Sequence, residues 1–149
     1  MTVALGTGTQ NYTCPSVPSA TPTQVGATAQ LYHLSEPSQP VAGVSLEGIP
    51  AIGKHYFSSA GTPSFQFFDD ESLGLLQAAK KVQIPAPGGA GVPWLQLVTT
   101  GTGKGDLQEV YRVQTQGGSP PPGICNGKAP GTTFEVPYRA QYWFYGNRS

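Results

Sequence analysis

At 149 residues the chain is one domain, long enough to bury about two-thirds of its unfolded surface, so its core needs neither a metal nor many disulfides. Only 11% of residues are charged and the formal net charge is zero, which leaves no electrostatic footprint for nucleic acid or an anionic membrane as partner. Twenty Gly and fifteen Pro favour strands joined by turns, and no run of about 20 apolar residues offers a transmembrane helix.

The first residues carry neither a charged n-region nor an apolar h-region, so they are not a signal peptide, and a leader removed ahead of Met1 is expected of a secreted chain. Residues 6–13, Gly-Thr-Gly-Thr-Gln-Asn-Tyr-Thr, read as a short strand with Gly where backbones approach closely. No third Gly and no helix follow, which excludes a phosphate loop. Asn11-Tyr12-Thr13 is a sequon, and Asn11 is expected to accept a glycan in the secretory pathway. Residues 15–26, rich in Ser, Pro and Thr, read as a surface loop. In residues 27–34 Ala27, Ala29, Leu31 and His33 alternate with polar neighbours, the pattern of a second strand.

Gly53-Lys-His-Tyr-Phe-Ser58 and Pro63-Ser-Phe-Gln-Phe-Phe68 form a third and a fourth strand, joined as a hairpin through Ser-Ala-Gly-Thr. Residues 69–85 are ambiguous. Asp70 suits a helix cap, but Gly74 weakens a helix by about 1 kcal/mol against Ala. The segment reads as a helical turn, or as a loop that becomes a strand around residues 80–84. Residues 94–100 are a buried strand and residues 107–115 its hairpin partner. The Gly-Lys between them has Thr99 and Gly105 where a nucleotide loop requires Gly and Ser or Thr, which excludes that function.

The last stretch, residues 133–145, is the most regular. Phe134, Val136, Tyr138, Ala140, Tyr142 and Phe144 share one face, which is core; Glu135, Pro137, Arg139, Gln141, Trp143 and Tyr145 share the other. The whole chain, 1–149, thus reads as a single all-β domain, an antiparallel β-sandwich or small β-barrel of about seven to nine strands.

Cys14 and Cys125 are too far apart for a metal knuckle and neither belongs to a Cys-x-x-Cys unit. One long-range disulfide is the better reading, with two buried thiols as the alternative. Closing so long a loop would remove on the order of 4–5 kcal/mol of unfolded-state entropy.

Candidate chemistry is sparse. The two histidines, His33 and His55, lie in no metal-binding spacing, and no Gly-x-Ser-x-Gly elbow is present, so neither a metal site nor hydrolase chemistry is expected. His55 is either a satisfied core residue or an acid or base. Trp94, Trp143, Tyr111, Tyr142 and Tyr145 either fill a core or stack on a ligand. The face of the last strand that carries Arg139, Gln141, Trp143 and Tyr145 is the first place to seek a ligand, and the strands of His55 and Trp94 are the next.

Leu-Gly-x-Gly-x-Gln-Asn-Tyr-Thr-Cys near the start, Gly53-Lys-His-Tyr-Phe57, Pro85-Ala-Pro with Val92-Pro-Trp-Leu-Gln-Leu97, Val110-Tyr-Arg-Val113 and Val136-Pro-Tyr-Arg-Ala-Gln-Tyr-Trp-Phe-Tyr145 resemble a family of small secreted fungal and bacterial proteins catalogued as a domain of unknown function. The resemblance covers nearly the whole chain and implies a secreted all-β domain with a disulfide. Small fungal proteins of similar character are pericyclases, hetero-Diels–Alderases that join a tropolone-derived quinone methide to a humulene-type terpene. That likeness implies a partner that is a small apolar or aromatic molecule, and no cofactor. A cycloaddition needs a dry, shaped pocket and a donor that withdraws electron density from the heterodiene. Forming the quinone methide by loss of water also needs a proton donor, for which His55, Tyr111 and Lys80 are the candidates. Trp94, Tyr142 and Trp143 would wall the pocket, with Arg139 and Gln141 beside them. The alternative is a non-catalytic secreted protein that binds a wall polysaccharide or host surface. Flat, exposed rings would mark that binder, and enclosed rings the pericyclase.

Overall fold

The computed structural model describes residues 1–17 and 20–146. Among them eight antiparallel strands, β1 (Thr2–Thr13), β2 (Thr23–His33), β3 (Gly53–Phe57), β4 (Pro63–Phe67), β5 (Leu75–Ile84), β6 (Trp94–Thr99), β7 (Leu107–Gly117) and β8 (Thr133–Gly146), pair each with the next. β8 returns to pair with β1 along that strand's whole length, so the sheet closes as a barrel and leaves no free edge.

The ambiguous segment resolves into a turn followed by a strand that starts earlier than expected. Asp70 Oδ1 accepts from the backbone N–H groups of Ser72 and Leu73, each at 3.1 Å, and Gly74 takes φ +60° before β5 begins at Leu75. Residues 15–26 likewise give up their last part to β2.

Alternation decides what faces the lumen. β1 turns Ala4, Gly6, Gly8 and Gln10 inward opposite Leu31, Ala29 and Ala27 of β2, while β8 turns in Tyr138, Ala140, Tyr142 and Phe144. Small residues on one wall therefore receive large rings from the others. Phe65, Phe67, Phe144, Leu31 and Leu76 fill one end of the barrel as a buried core. Phe144 meets Phe65 and Phe67 edge-on, with centroids 5.4 and 5.0 Å apart.

Three interruptions of the pairing lie in the other half. Val25 of β2 and Lys81 of β5 have no partner in the ladder, and β7 skips Gln114 and Thr115, with Gln114 at φ +50°. Each inserts residues into a strand and changes which side chains point inward beyond it. Without the bulge at Lys81, Lys80 and Gln83 would face opposite ways. With it, Lys80 Nζ donates to Gln83 Oε1 at 2.9 Å and both stand on the inner face at the rim of the lumen.

The segment between β2 and β3, which includes the short 3-10 helix Val41–Gly43, lies across the outside of β8. Arg139 Nη1 donates to the carbonyls of Val41 and Val44 at 2.9 and 2.8 Å, and Gln141 Nε2 donates to that of Pro37 at 2.6 Å. Beneath this cover Val3 and Leu5 are buried although they face outward. A disulfide joins Cys14, just after β1, to Cys125, 111 residues on in the loop before β8.

Candidate ligand-binding site

The unfilled half of the barrel is a cavity of about 590 Å³, in the range of small-molecule sites. Its mouth is formed where the odd strands end and the even strands begin, with Ser119 and Pro120 of the disulfide-tethered loop on the rim. Ala27, Phe57, Phe65, Ala78, Leu95 and Leu97 make its walls largely apolar.

Against those walls stand a few polar groups. Arg112 pairs with Leu95 across β6 and β7, faces inward, and is only 7% exposed. Its Nε and Nη2 both donate to the carbonyl of Pro93, at 3.1 and 2.8 Å, and its guanidinium also donates toward the Tyr142 hydroxyl; both partners are uncharged. Among the described residues no Asp or Glu lines the cavity, whereas Lys80 stands at its rim, so the charge they place there is positive. A buried guanidinium without an anion is costly unless something else supplies one.

Tyr142 projects into the cavity beside Arg112, and its hydroxyl lies 2.7 Å from that of Tyr138. Burial raises the pKa of both hydroxyls, and for Tyr142 the Arg112 guanidinium opposes that rise, so both remain protonated donors at neutral pH. Behind them Gln10 is fully buried. Gln24 Nε2 donates to its Oε1, and its own Nε2 has no acceptor among the described residues.

His55 lies on β3 against Phe65, the rings parallel within 8° and 4.1 Å apart. Its Nδ1 lies 2.9 Å from the carbonyl of Ser64, which can only accept, so Nδ1 carries the proton and Nε2 is the free acceptor. Burial, seconded by the Arg112 charge, pushes its pKa down to about 4. At neutral pH His55 is therefore an uncharged acceptor.

The cavity thus gathers His55, Tyr142 and Lys80 of the residues singled out from sequence. Tyr111 is on the outer face, where Gln96 Nε2 donates to its hydroxyl at 3.0 Å and Tyr145 meets it edge-on at 5.7 Å. Trp94 also lies outside the lumen, its Nε1 buried without an acceptor among the described residues. Arg139 and Gln141 are engaged by the covering segment, and Trp143 Nε1 donates to Gln141 Oε1 at 3.0 Å. Both Trp residues are half-buried. Asn11 is on the outer face of β1, its Oδ1 accepting from Thr9 Oγ1 at 2.8 Å. Among the described residues no group of His, Cys, Asp and Glu converges as metal ligands, and no helix is long and apolar enough to cross a membrane.

Arg112 and Gln10 escaped the sequence reading. The signal was present for Arg112: in Val110-Tyr-Arg-Val113 alternation puts a charge on the same face as Val110, which is a core position.

The sequence profile of one family, described as protein of unknown function (DUF3455), matches residues 1–146. No curated protein and no solved structure matches the chain.

Proposed function

Since the chain belongs to the DUF3455 family, whose description names no activity, we propose a function from the cavity itself: a secreted small-molecule-binding barrel that acts as a cofactor-independent hetero-Diels–Alderase on a tropolone-derived quinone methide and a humulene-type terpene. The observation that carries this reading is the buried guanidinium of Arg112, with no anionic partner among the described residues, beside the Tyr142 hydroxyl in a cavity whose walls are largely apolar. Two such donors on the heterodiene oxygen withdraw electron density from it, and they do so most strongly where water is excluded. The apolar walls hold the terpene against the heterodiene, which turns a bimolecular addition into an intracomplex one.

Loss of water to form the quinone methide falls to the rim. Lys80 is the ammonium at the rim of the lumen and donates the proton with which the leaving hydroxyl departs as water. As the C–O bond breaks and the ring becomes the quinone methide, the proton released by the ring hydroxyl returns to the Lys80 amine. His55, with only Nε2 free, orients a substrate hydroxyl by accepting its hydrogen bond.

The test is to incubate the purified protein with the tropolone precursor and humulene and to follow the adduct and its stereochemistry. The expected result is acceleration with one stereoisomer dominant, lost in Arg112→Met and weakened in Tyr142→Phe. An adduct that forms at the buffer rate with the buffer ratio of isomers would sink the enzymatic reading.

A further inference from the structure

We propose that the ligand seated at Arg112 is an organic acid, taken up as an anion: an apolar body carrying one planar oxyanion head, a carboxylate or the conjugate base of an acidic enol, paired with that guanidinium. This rests on reading the cavity as the ligand site and adds the chemical class that the site selects.

Four observations converge on it. Arg112 is more than nine-tenths buried and lines the cavity, while its partners among the described residues, the carbonyl of Pro93 and the Tyr142 hydroxyl, are both uncharged. Its remaining N–H groups are the planar fork that fits two oxygens of one head group. Among the described residues the lining contains no carboxylate that would repel such a head or compete for the guanidinium. The neighbouring donor, Tyr142, has its hydroxyl against that of Tyr138, so a proton of the pair is free to turn toward the cavity when Tyr138 donates to Tyr142.

A ligand that brings no oxyanion to Arg112 answers none of this, because it leaves the buried guanidinium uncompensated. Polyanions such as phosphate esters answer it poorly, because the walls around Arg112 are largely Ala, Leu and Phe side chains and the other cation of the lining, Lys80, stands away at the rim. A single charge on a flat apolar body fits both the donors and the walls. Lys80 at the rim adds attraction during entry, and its pairing with Gln83 keeps it aside from the chamber floor.

The experiment uses 2-naphthoate and 2-naphthamide, which share size and shape and differ in charge. Titration calorimetry on the intact, disulfide-bonded protein is expected to give at least about ten-fold tighter binding of the carboxylate. In Arg112→Met the preference disappears while the amide still binds; in Arg112→Lys part of it survives, because the charge remains and the fork is lost. Near-ultraviolet circular dichroism checks the fold of each variant. Equal binding of the two compounds by the wild type, or no binding of either, overturns the proposal. So does a preference that persists in Arg112→Met and vanishes in Lys80→Met, which would put the anion on the rim. Since no turnover is measured, loss of pericyclase activity with the anion preference intact counts only against the enzymatic reading. Stereoselective turnover without that preference counts only against this one.

Discussion

The ring of Tyr142 occupies the space that a side chain at Gly6 would fill: a Cβ at position 6 would stand 2.5 Å from Tyr142 Cε2 and 2.9 Å from Cδ2. Gly6 is needed here for room and not for an unusual backbone angle, because its φ is not positive. Two strands adjacent in the barrel and distant in sequence thus share one volume, and the ring that reaches the cavity depends on it.

Gly6→Ala is expected to destabilise the fold by about 1–3 kcal/mol, as overpacking of a filled core does. Tyr142→Phe leaves the clash in place and should not rescue it, whereas Tyr142→Leu should restore part of the loss. Urea denaturation of the single and double variants checks this. Additive losses in Gly6→Ala/Tyr142→Leu would disprove the shared volume.

His55 predicts a pH dependence whose sign follows from its lowered pKa. Between pH of about 6.5 and the folded value of about 4, the unfolded chain takes up a proton that the folded chain refuses. Stability contributed by this group is complete above the unfolded pKa and is lost as pH falls through that window, by on the order of 3 kcal/mol. Denaturation curves at closely spaced pH values should show the slope in the wild type and a shallower one in His55→Phe. Parallel slopes would mean that His55 charges freely in the folded state.

Reducing Cys14–Cys125, or replacing both residues by Ala, should cost about 4–5 kcal/mol through the unfolded chain, less any strain relieved. The same bond tethers the loop that brings Ser119 and Pro120 to the mouth. Faster release of a bound naphthoate after reduction, under conditions where the barrel remains folded, is the second expected outcome and is read by stopped-flow fluorescence.

Arg112→Met should raise the thermal midpoint of the ligand-free protein. It exchanges an uncompensated buried charge for an apolar side chain of similar length, a gain on the order of 1 kcal/mol after losing the bonds to Pro93. A lowered midpoint would mean that those two bonds outweigh the desolvation of the charge.

The strands of this barrel are legible because alternation is local: the inward set of β8 can be read by counting every second residue. What covers the outward set is not local. Arg139 and Gln141 are held by carbonyls of residues 44, 41 and 37, between 95 and 104 positions away, and no periodicity announces such a partner. A polar, aromatic face that looks open to a ligand in sequence is therefore closed by the chain's own loop. The cavity hides for a related reason. Counting by twos continues through Val25 and Lys81, while the backbone does not, so the inward positions of Gln24 and Gln83 are out of phase with the rest of their strands. Closure into a barrel, as opposed to a sandwich, rests on the pairing of the first strand with the last, which composition cannot state.

The placement of the bulges at Val25 and Lys81 has a consequence for how such a protein changes. Both lie on the mouth side of Ala27 and Ala78, beyond the aromatic plug, so the residues they turn inward belong to the entrance and not to the packed end. Exchanging Gln24, Lys80 or Gln83 would alter which molecules are admitted while Phe65, Phe67 and Phe144 keep their contacts. Foldability and selectivity are thus written into opposite ends of the same strands.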